Sequence, residues 1–367
     1  MADRISILGI GVIGGFGTGR GDLVRALEKP GGPNGELSLE TSTGEKSCPA
    51  YVADLGALED YLPKRRLRRL GHFAQMATLG GCLALEDAGM LEEVPGEQLG
   101  IVIASGYGPT TSTFQFLDMA NREGDECVSP TLFSNSAHSV APSTLSILLE
   151  ITGPALTVSQ FEMSVPVALL NAVQWLRQGR VRYVLFGALD EHCSVRTYSH
   201  ARIHGENADG ELRPMATDEQ SAVLGEGAAF FVLGRDESPR KPLARIREVE
   251  VMNLREEGLH FPPEVPVLIG ADGHPLCGRL YERYLPDDSS AASFTPVYGS
   301  LPVGQAFDLA IASLACHRNS LWTPPAPGSP TPLPRGFQSE TEAGNGVACL
   351  CIDRRATCGK ILADSIS

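Results

Sequence analysis

Histidine is the side chain most often used for metal binding and for proton transfer near neutral pH, and the chain contains eight histidines. Only His200 and His204 are spaced so that a helix would place both imidazoles on one face. Such a pair could begin a metal site, but zinc takes at least three protein ligands and the sequence offers no third ligand nearby. We therefore expect no metal site, and we interpret these two, together with His138 and His192, as structural histidines.

The nine cysteines are scattered, and no two of them are spaced as Cys-x-x-Cys. Cys349 and Cys351 are the nearest pair, and a strand would place both thiols on one face. Two thiolates could begin a metal site, but no further cysteine or histidine stands beside them, so packing in the core is favoured. An odd number of scattered cysteines also favours reduced thiols over a disulfide framework, which predicts a cytoplasmic protein.

A glycine-rich segment, GGFGTG at residues 14–19, follows the first apolar run of the chain. Glycines in such a turn can let the backbone approach the phosphates of a dinucleotide. However, no second strand ending in an acidic residue follows at the distance that dinucleotide binding requires. The segment therefore predicts a tight turn between a strand and a helix, and we expect no cofactor.

The charge balance limits the partners of this protein. The formal net charge of −14 argues against binding to a nucleic-acid backbone, which requires basic surfaces. The one dense basic run, KRRLRR at residues 64–69, fits either a solvated helix face or a docking site for an acidic partner. The sequence also lacks an uninterrupted apolar segment of about 18 residues, so we expect no membrane-spanning helix.

Alternating strand-like and helix-like segments predict the framework that positions these residues. Strands are predicted at residues 5–13, 99–104, 155–159, 181–189, 228–233, 246–251, 267–269 and 346–352. Helices are predicted at residues 67–88, 141–150, 166–178 and 304–317. Short links between these segments imply an α/β fold in which helices cover a central sheet. Residues 31–63 are predicted as a surface excursion, and the proline-rich residues 322–335 as irregular.

Five short segments together resemble the condensing enzymes, or beta-ketoacyl synthases, of fatty-acid and polyketide synthesis. They are ISILGIGV at residues 5–12, ALEDAG at 84–89, GPALTVS at 153–159, GEGAA at 225–229 and GNGVA at 344–348. Each segment is weak evidence alone, but they follow the family's order over nearly the whole chain. The resemblance implies a thiolase-like fold of two similar α/β halves with layered sheets and helices. We place the halves at residues 1–238 and 239–367.

The resemblance also implies where the family's catalytic residues would stand. The family's nucleophilic cysteine lies at a sharp turn after the TVS-like strand, where this sequence has Glu162. The family's first catalytic histidine corresponds to Asp272. Its lysine, glycine and second histidine correspond to Pro296, Ser300 and Leu301. A carboxylate cannot carry an acyl chain as a thioester, so these substitutions predict the loss of condensing activity by this chain alone.

The favoured hypothesis is therefore a chain-length-factor-like subunit that does not condense. Such a subunit would pair with a catalytic ketosynthase in fatty-acid or polyketide/polyene synthesis, and an acyl carrier protein would be a further partner. In the family's inactive partners the cysteine is typically replaced by glutamine, which a protonated Glu162 resembles in shape. Burial would favour the protonated form, although Glu162 could instead pair with a nearby cation. The sequence allows either a heterodimer or a homodimer.

Two other hypotheses remain open at this point. Glu162 and Asp272 could face each other across the old pocket and perform acid–base chemistry in a repurposed acyl-processing enzyme. Alternatively, the chain could be a purely structural dimer partner whose pocket has collapsed. The pocket is expected to be lined by Phe161, Met163 and Leu301, and obstruction by Phe161 or Met163 would distinguish the structural partner from the other two.

Overall fold

The computed structural model describes residues 4–41, 44–205, 207, 209–235, 241–325 and 340–366. The boundary predicted near residue 238 and most of the proline-rich residues 322–335 lie outside the described residues. Within the described ranges the strands are β1 (Ile5–Gly14), β2 (Gly17–Thr18), β3 (Gly35–Thr41), β4 (Gly44–Ala50), β5 (Leu99–Ala104), β6 (Ala155–Val158), β7 (Tyr183–Asp190), β8 (Gly227–Arg235), β9 (Ala244–Asn253), β10 (Val267–Ile269), β11 (Ala291–Ala292), β12 (Ser320–Leu321), β13 (Thr341–Glu342), β14 (Val347–Ile352) and β15 (Thr357–Asp364).

The α-helices of the same ranges alternate with these strands along the chain. They are α1 (Gly19–Glu28), α2 (Lys64–Leu67), α3 (His72–Asp87), α4 (Thr110–Glu123), α5 (Pro130–Ser136), α6 (Val140–Leu148), α7 (Ser164–Arg177), α8 (Ser194–His204), α9 (Pro275–Tyr284), α10 (Thr295–Tyr298) and α11 (Gly304–Arg318). None of the described helices combines the length and the apolar character that crossing a bilayer requires.

One large sheet runs through the molecule, and its strand order repeats. From β1 outward the order is β1, β8, β7, β5, β6, and from β9 outward it is β9, β15, β14, β10, β11. In each series the two outermost strand pairs are parallel, and the two pairs nearer the centre of the sheet are antiparallel. The two series meet where Ile5–Ile7 pairs with Ala244–Ile246. The predicted pair of similar α/β units is therefore present as a repeat of topology.

Helices cover this sheet on both faces. Helices α3 and α6 pack on one face, where their apolar side chains share a core with β1, β5, β7 and β8. Helices α7 and α11 contact strands from both series, and they contribute to the largest apolar core. Every residue of α11 from Gly304 to Cys316 is buried, as expected for a helix enclosed by protein on all sides.

Glycines bring β1 directly against α3. A Cβ added at Gly11 would lie 2.3 Å from the Gly80 carbonyl oxygen and 2.5 Å from the Ala84 nitrogen. At Gly80 it would lie 2.5 Å from a ring carbon of Phe230, and at Gly81 2.7 Å from a methyl of Leu145. The glycines of α3 therefore allow close packing against β1, β8 and α6.

Several predicted elements have different bounds in the structure. The helix predicted from residue 67 begins at His72, because α2 and a turn precede it. Residues 31–63 contain the hairpin of β3 and β4 rather than only irregular excursion. Strand β15 follows the strand predicted to be the last one, and it separates β14 from β9 in the sheet. A helix, α1, follows the glycine-rich turn as predicted, whereas α4, α5, α8, α9 and α10 were absent from the sequence-based prediction.

Candidate functional site

A tight turn between β6 and α7 holds Glu162. Residues Phe161–Met163 form one 3-10 turn, and Phe161 has a φ of 48°, in the left-handed region that non-glycine residues rarely occupy. The Ser164 hydroxyl accepts a hydrogen bond from the Gln160 N–H at 2.8 Å and donates one to the Ser105 carbonyl at 3.0 Å. These bonds tie the turn to the end of β5, so Glu162 stands at the start of a buried helix.

The three side chains of this turn point in different directions, because a 3-10 helix advances about 120° per residue. Glu162 lines a cavity of about 380 Å³. Phe161 is 54% exposed and packs edge-on against Tyr107, with ring centroids 5.4 Å apart, while Met163 is buried in the core. Phe161 and Met163 therefore do not line the cavity, contrary to the sequence-based expectation.

Asp272 and Leu301 line the same cavity as Glu162. Asp272 follows β10, and its Oδ1 accepts a hydrogen bond from the His274 N–H at 3.0 Å. The Ser300 hydroxyl donates to the Asp272 carbonyl at 2.6 Å, which joins the Asp272 loop to the segment that carries Leu301. The fold thus brings together three of the predicted site residues, and the cavity between them is open rather than collapsed.

The surroundings of Glu162 favour its neutral form. Burial raises the pKa of Glu162, and the nearby Asp272 carboxylate raises it further. The positive charge of Arg354 acts in the opposite direction but does not cancel these effects. Within the described ranges no basic side chain forms an ion pair with Glu162, so the alternative of a carboxylate paired with a cation is not the arrangement found.

Two cysteines that sequence reasoning did not associate with the site also line the cavity, Cys277 and Cys351. The Cys351 thiol donates to the carbonyl of Glu162 at 3.5 Å and to Gln305 Oε1 at 3.2 Å. Burial raises the pKa of both thiols well above the ordinary cysteine value. Because the thiolate is the reactive form, neither cysteine is poised as a nucleophile. Only the tertiary fold places them there, since both are distant from Glu162 in sequence.

Three histidines form a further cluster at the cavity. His200 and His204 lie four residues apart on α8, and His274 precedes the first residue of α9. The Nε2 atoms of His200 and His274 are 2.9 Å apart, and the rings of His204 and His274 have centroids 4.0 Å apart. Sequence reasoning found the helical pair but missed the third imidazole, which the fold brings from a separate segment.

These imidazoles are neutral at physiological pH. Burial lowers the pKa of His200 to about 3, and the charges of His274 and His204 act in the same direction. Burial and the neighbouring His274 and Arg354 lower the pKa of His204 to about 4, and burial also lowers that of His274. Among the described residues, no three His, Cys, Asp or Glu side chains are arranged so that together they could hold a metal ion.

The profile of the family described as "Beta-ketoacyl synthase, N-terminal domain" matches residues 4–238, which is more than half of the chain. The chain belongs to the beta-ketoacyl synthase family. The resemblance deduced from the five sequence segments is thereby confirmed.

Named relatives of this ketosynthase-family chain include proteins of polyketide synthesis and of nodulation. It is 27% identical over 271 residues to a polyketide beta-ketoacyl synthase 1 of Streptomyces virginiae, covering 70% of this chain and 64% of the relative. It is 26% identical over 243 residues to nodulation protein E of Rhizobium sp. (strain N33), covering 64% of this chain and 58% of the relative. The matches thus span less than two thirds of these relatives' lengths.

Solved structures of ketosynthases share the fold over the whole chain. The ishigamide ketosynthase/chain length factor superposes with a TM-score of 0.80 at 17% identity, and a beta-ketoacyl synthase from Burkholderia phymatum with 0.79 at 15%. An acyl carrier protein complex with its ketosynthase, AntDE:AntF, gives 0.75 at 13%. Each comparison covers 100% of both chains, and together they establish the thiolase-like fold.

Proposed function

We propose that this ketosynthase-family chain is a non-condensing, chain-length-factor-like subunit that pairs with a catalytic ketosynthase in fatty-acid or polyketide/polyene synthesis. The observation that carries the proposal is the composition of the cavity. Glu162, Asp272 and Leu301 line it. The sequence resemblance aligns these residues with the family's cysteine and two histidines. An open cavity without a reactive thiol fits a subunit that shapes a product more closely than one that forms the bond.

Condensation by the family's route needs a thiolate that carries the growing acyl chain as a thioester. The carboxyl group of Glu162 cannot form that thioester. Cys277 and Cys351 stay protonated because of burial, so they do not replace the missing thiolate. The neutral imidazole of His274 could donate a hydrogen bond to an enolate, but an enolate without an acyl thioester partner forms no carbon–carbon bond.

The free edge of β6 supports pairing with another subunit. Strand β6 is the last strand of its series, and its sequence, ALTV, carries neither a charge nor a proline to protect an exposed edge. Exposed apolar side chains flank this edge: Phe161 is 54% exposed on the following turn, and Leu170 is 37% exposed on α7, which packs against β6. Such an edge suits pairing with a second ketosynthase-like chain.

A second surface supports docking of an acyl carrier protein. A surface groove is lined by Arg65, Arg66 and Arg69 and by Ile147 and Leu148, the last two residues of α6. Ile147 is 76% exposed, so the groove offers cations beside an apolar contact. An acidic amphipathic helix would match both features, whereas the net charge of −14 gives no general attraction for an acidic partner.

Loss of condensation is tested by incubating the purified chain with malonyl- and acyl-carrier protein. We expect no carbon–carbon bond formation by the chain alone, and product only when a catalytic ketosynthase is added. Condensation that depends on this chain alone would refute the non-condensing role.

Pairing is tested by co-expression with a catalytic ketosynthase, size-exclusion chromatography and native mass spectrometry. We expect a one-to-one complex, and at least tenfold weaker association when Phe161→Asp and Leu170→Asp place charges beside the β6 edge. Val251→Asp is the matched control, because Val251 is 37% exposed on β9, a strand far from β6 in the sheet order. A homodimer that no ketosynthase displaces would contradict the pairing.

A second candidate function is acid–base processing of an acyl group, as in a repurposed enzyme. It is favoured by one observation: Glu162 and Asp272 line the same cavity, and the charge of Asp272 raises the pKa of Glu162. Acyl-thioester turnover by the isolated homodimer, abolished by Glu162→Gln and by Asp272→Asn, would favour this function over the subunit role.

A further inference from the structure

Four nitrogen-bearing side chains form one wall of the cavity, and we call them the histidine wall: His200, His204, His274 and Arg354. Arg354 is exposed on the turn between β14 and β15, and its Nη2 lies 3.3 Å from His204 Nε2. Within the described ranges no carboxylate forms an ion pair with Arg354. The wall therefore brings a guanidinium that has no ion-pair partner in that part of the chain, together with three imidazole rings, to the cavity that Glu162 and Asp272 line elsewhere.

We propose that the histidine wall binds an oxyanion, a carboxylate or phosphate group of a small molecule, through Arg354 and the neighbouring imidazole N–H groups. Arginine offers several donors in a planar fork that fits carboxylate and phosphate oxygens. Each neutral imidazole keeps one N–H donor. This site is a property of the single chain, so it does not depend on pairing with a ketosynthase.

The carboxylates nearest to Arg354 do not form ion pairs with its guanidinium. Asp353 Oδ1 accepts hydrogen bonds from the N–H groups of Arg355 and Thr357, at 2.8 and 2.7 Å, which orients it toward the backbone. Asp272 Oδ1 similarly accepts from the backbone N–H of His274 at 3.0 Å. Both carboxylates therefore cap local backbone rather than pair with Arg354, and the guanidinium remains available to a ligand.

An anion fits the wall better than a metal ion. Three imidazoles are a donor set that zinc accepts, but the Arg354 guanidinium beside His204 would repel a divalent cation. The described residues also hold no group of three His, Cys, Asp or Glu side chains in an arrangement that could bind a metal. The same positive charge that opposes a metal attracts an oxyanion.

Binding of an oxyanion at the wall is coupled to uptake of protons. Burial and neighbouring positive charge keep the imidazoles neutral, and a bound negative charge would counteract that positive charge. Affinity should therefore rise as pH falls toward the pKa values of these rings, which lie near 3 for His200 and near 4 for His204. The charged and titratable groups that face the wall from the surrounding elements are Arg196 on α8, Asp272 after β10, Arg279 on α9, Asp353 on the β14–β15 turn and Glu162 on the turn before α7.

The test uses the full chain with 13C-labelled histidine rings, followed by NMR during titration with two probes at pH 6 and pH 8. Sulfate is the tetrahedral probe and acetate the carboxylate probe, since both keep their charge over this range. We expect saturable shifts of the His204 and His274 rings at both pH values. A response to sulfate alone would assign a phosphate-type ligand, and a response to acetate alone would assign a carboxylate.

Arg354→Ala should weaken binding at least tenfold. Arg355→Ala is the matched control, because Arg355 is the exposed neighbour on the same turn and does not line the cavity. Circular dichroism of both variants checks that they remain folded. The proposal is overturned if neither probe gives a saturable shift, if Arg354→Ala binds as well as the parent chain, or if Zn²⁺ binds these rings while both oxyanions fail to do so.

Discussion

Among individual residues, Glu162 has an environment that opposes its negative charge. Burial and the Asp272 carboxylate raise the pKa of Glu162 above the ordinary value of 4.5. A carboxyl whose pKa is higher in the folded than in the unfolded chain binds its proton more tightly in the folded state. Its contribution to stability is therefore complete below pH 4.5 and declines as pH rises through the folded-state pKa. This sign is opposite to that of a carboxylate held in an ion pair.

Comparison with Glu162→Gln tests this sign. We expect the free energy of unfolding of the parent chain to fall relative to that of Glu162→Gln between pH 5 and pH 8, because the amide cannot ionise. Urea unfolding at several pH values measures the difference. Glu282→Gln is the control, since Glu282 is exposed, and it should follow the parent chain at every pH. A parallel pH dependence of parent and Glu162→Gln would show that Glu162 is ionised in the folded chain.

A second buried carboxyl, Glu226, joins separate segments of the chain. Its Oε1 accepts from the Ala53 N–H at 3.1 Å, and its Oε2 accepts from the His192 N–H at 3.1 Å. His72 Nε2, at the start of α3, lies 2.9 Å from the same Oε2. Glu226→Ala would leave two buried backbone N–H groups without acceptors. We expect a loss of about 3 kcal/mol in the free energy of unfolding, measured by urea titration.

The control for this prediction is Glu211→Ala. Glu211 is exposed and pairs with Arg213 at the surface, where such pairs contribute little. We expect a change within about 0.5 kcal/mol for Glu211→Ala. Equal effects of the two substitutions would show that the hydrogen bonds of Glu226 do not stabilise the fold.

At the scale of elements, the contact between β1 and α3 depends on the absence of side chains. A methyl group at Gly11 would collide with the backbone of α3 at Gly80 and Ala84, and neither atom can move without shifting the helix. We expect Gly11→Ala to lower the free energy of unfolding by about 3 kcal/mol. Thermal and urea unfolding measure this loss.

Gly21→Ala provides the matched control for Gly11→Ala. Gly21 lies within α1 and is exposed, and the nearest atom to an added Cβ is the flexible end of Arg25, at 3.6 Å. Alanine favours a helix over glycine, so we expect Gly21→Ala to stabilise the chain by about 0.5–1 kcal/mol. If Gly11→Ala were tolerated equally well, close approach of β1 and α3 would not be required.

Helices and strands could be predicted wherever an apolar run or a helical period was strong, and they were missed where that pattern was weak. Strand β1 is a nearly continuous apolar stretch and helix α11 is rich in apolar and small residues, and both were predicted to within one residue at each end. Strand β15 was missed because Gly359 and Lys360 interrupt its pattern. Lys360 is tolerated there because Glu248 and Glu250 on the neighbouring strand pair with it, a compensation visible only after folding.

The candidate site shows the same limit. Glu162 and Asp272 could be placed in one cavity from family resemblance, because short segments preserve the family's order. Cys351 could not, because nothing in the linear sequence connects it with the Glu162 turn. His274 stands only two residues after Asp272, but its contact with His200 on α8 could not be predicted from the sequence. The side chains of Phe161 and Met163 were misplaced for a local reason, since a single helical turn sends adjacent residues to different surroundings.

At the scale of the whole molecule, the repeat of strand order explains why two central helices serve both halves. Helices α7 and α11 contact strands of both series, so the site at the start of α7 lies beside β14 and the cavity draws residues from both series. A cavity assembled in this way requires residues from both series of strands.

The distribution of charge over the whole molecule sets the expected behaviour toward an acidic carrier protein. The net charge of −14 repels such a partner at long range, so the proposed docking depends on local attraction by the basic groove of Arg65, Arg66 and Arg69. We expect the double variant Arg66→Glu/Arg69→Glu to weaken carrier-protein binding at least tenfold. Fluorescence anisotropy with a labelled carrier protein at about 0.1 M salt measures the change.

The matched control is Lys29→Glu/Arg255→Glu, which alters two exposed cations away from the groove. Both double variants move the net charge from −14 to −18, because each replacement of a cation by a glutamate subtracts two charges. If local attraction drives docking, only the groove variant should bind the carrier protein much more weakly. The control should weaken binding slightly, and this effect should disappear at higher salt because salt screens long-range repulsion. Equal weakening by both variants would instead attribute carrier-protein binding to overall charge and would remove the groove as the docking site.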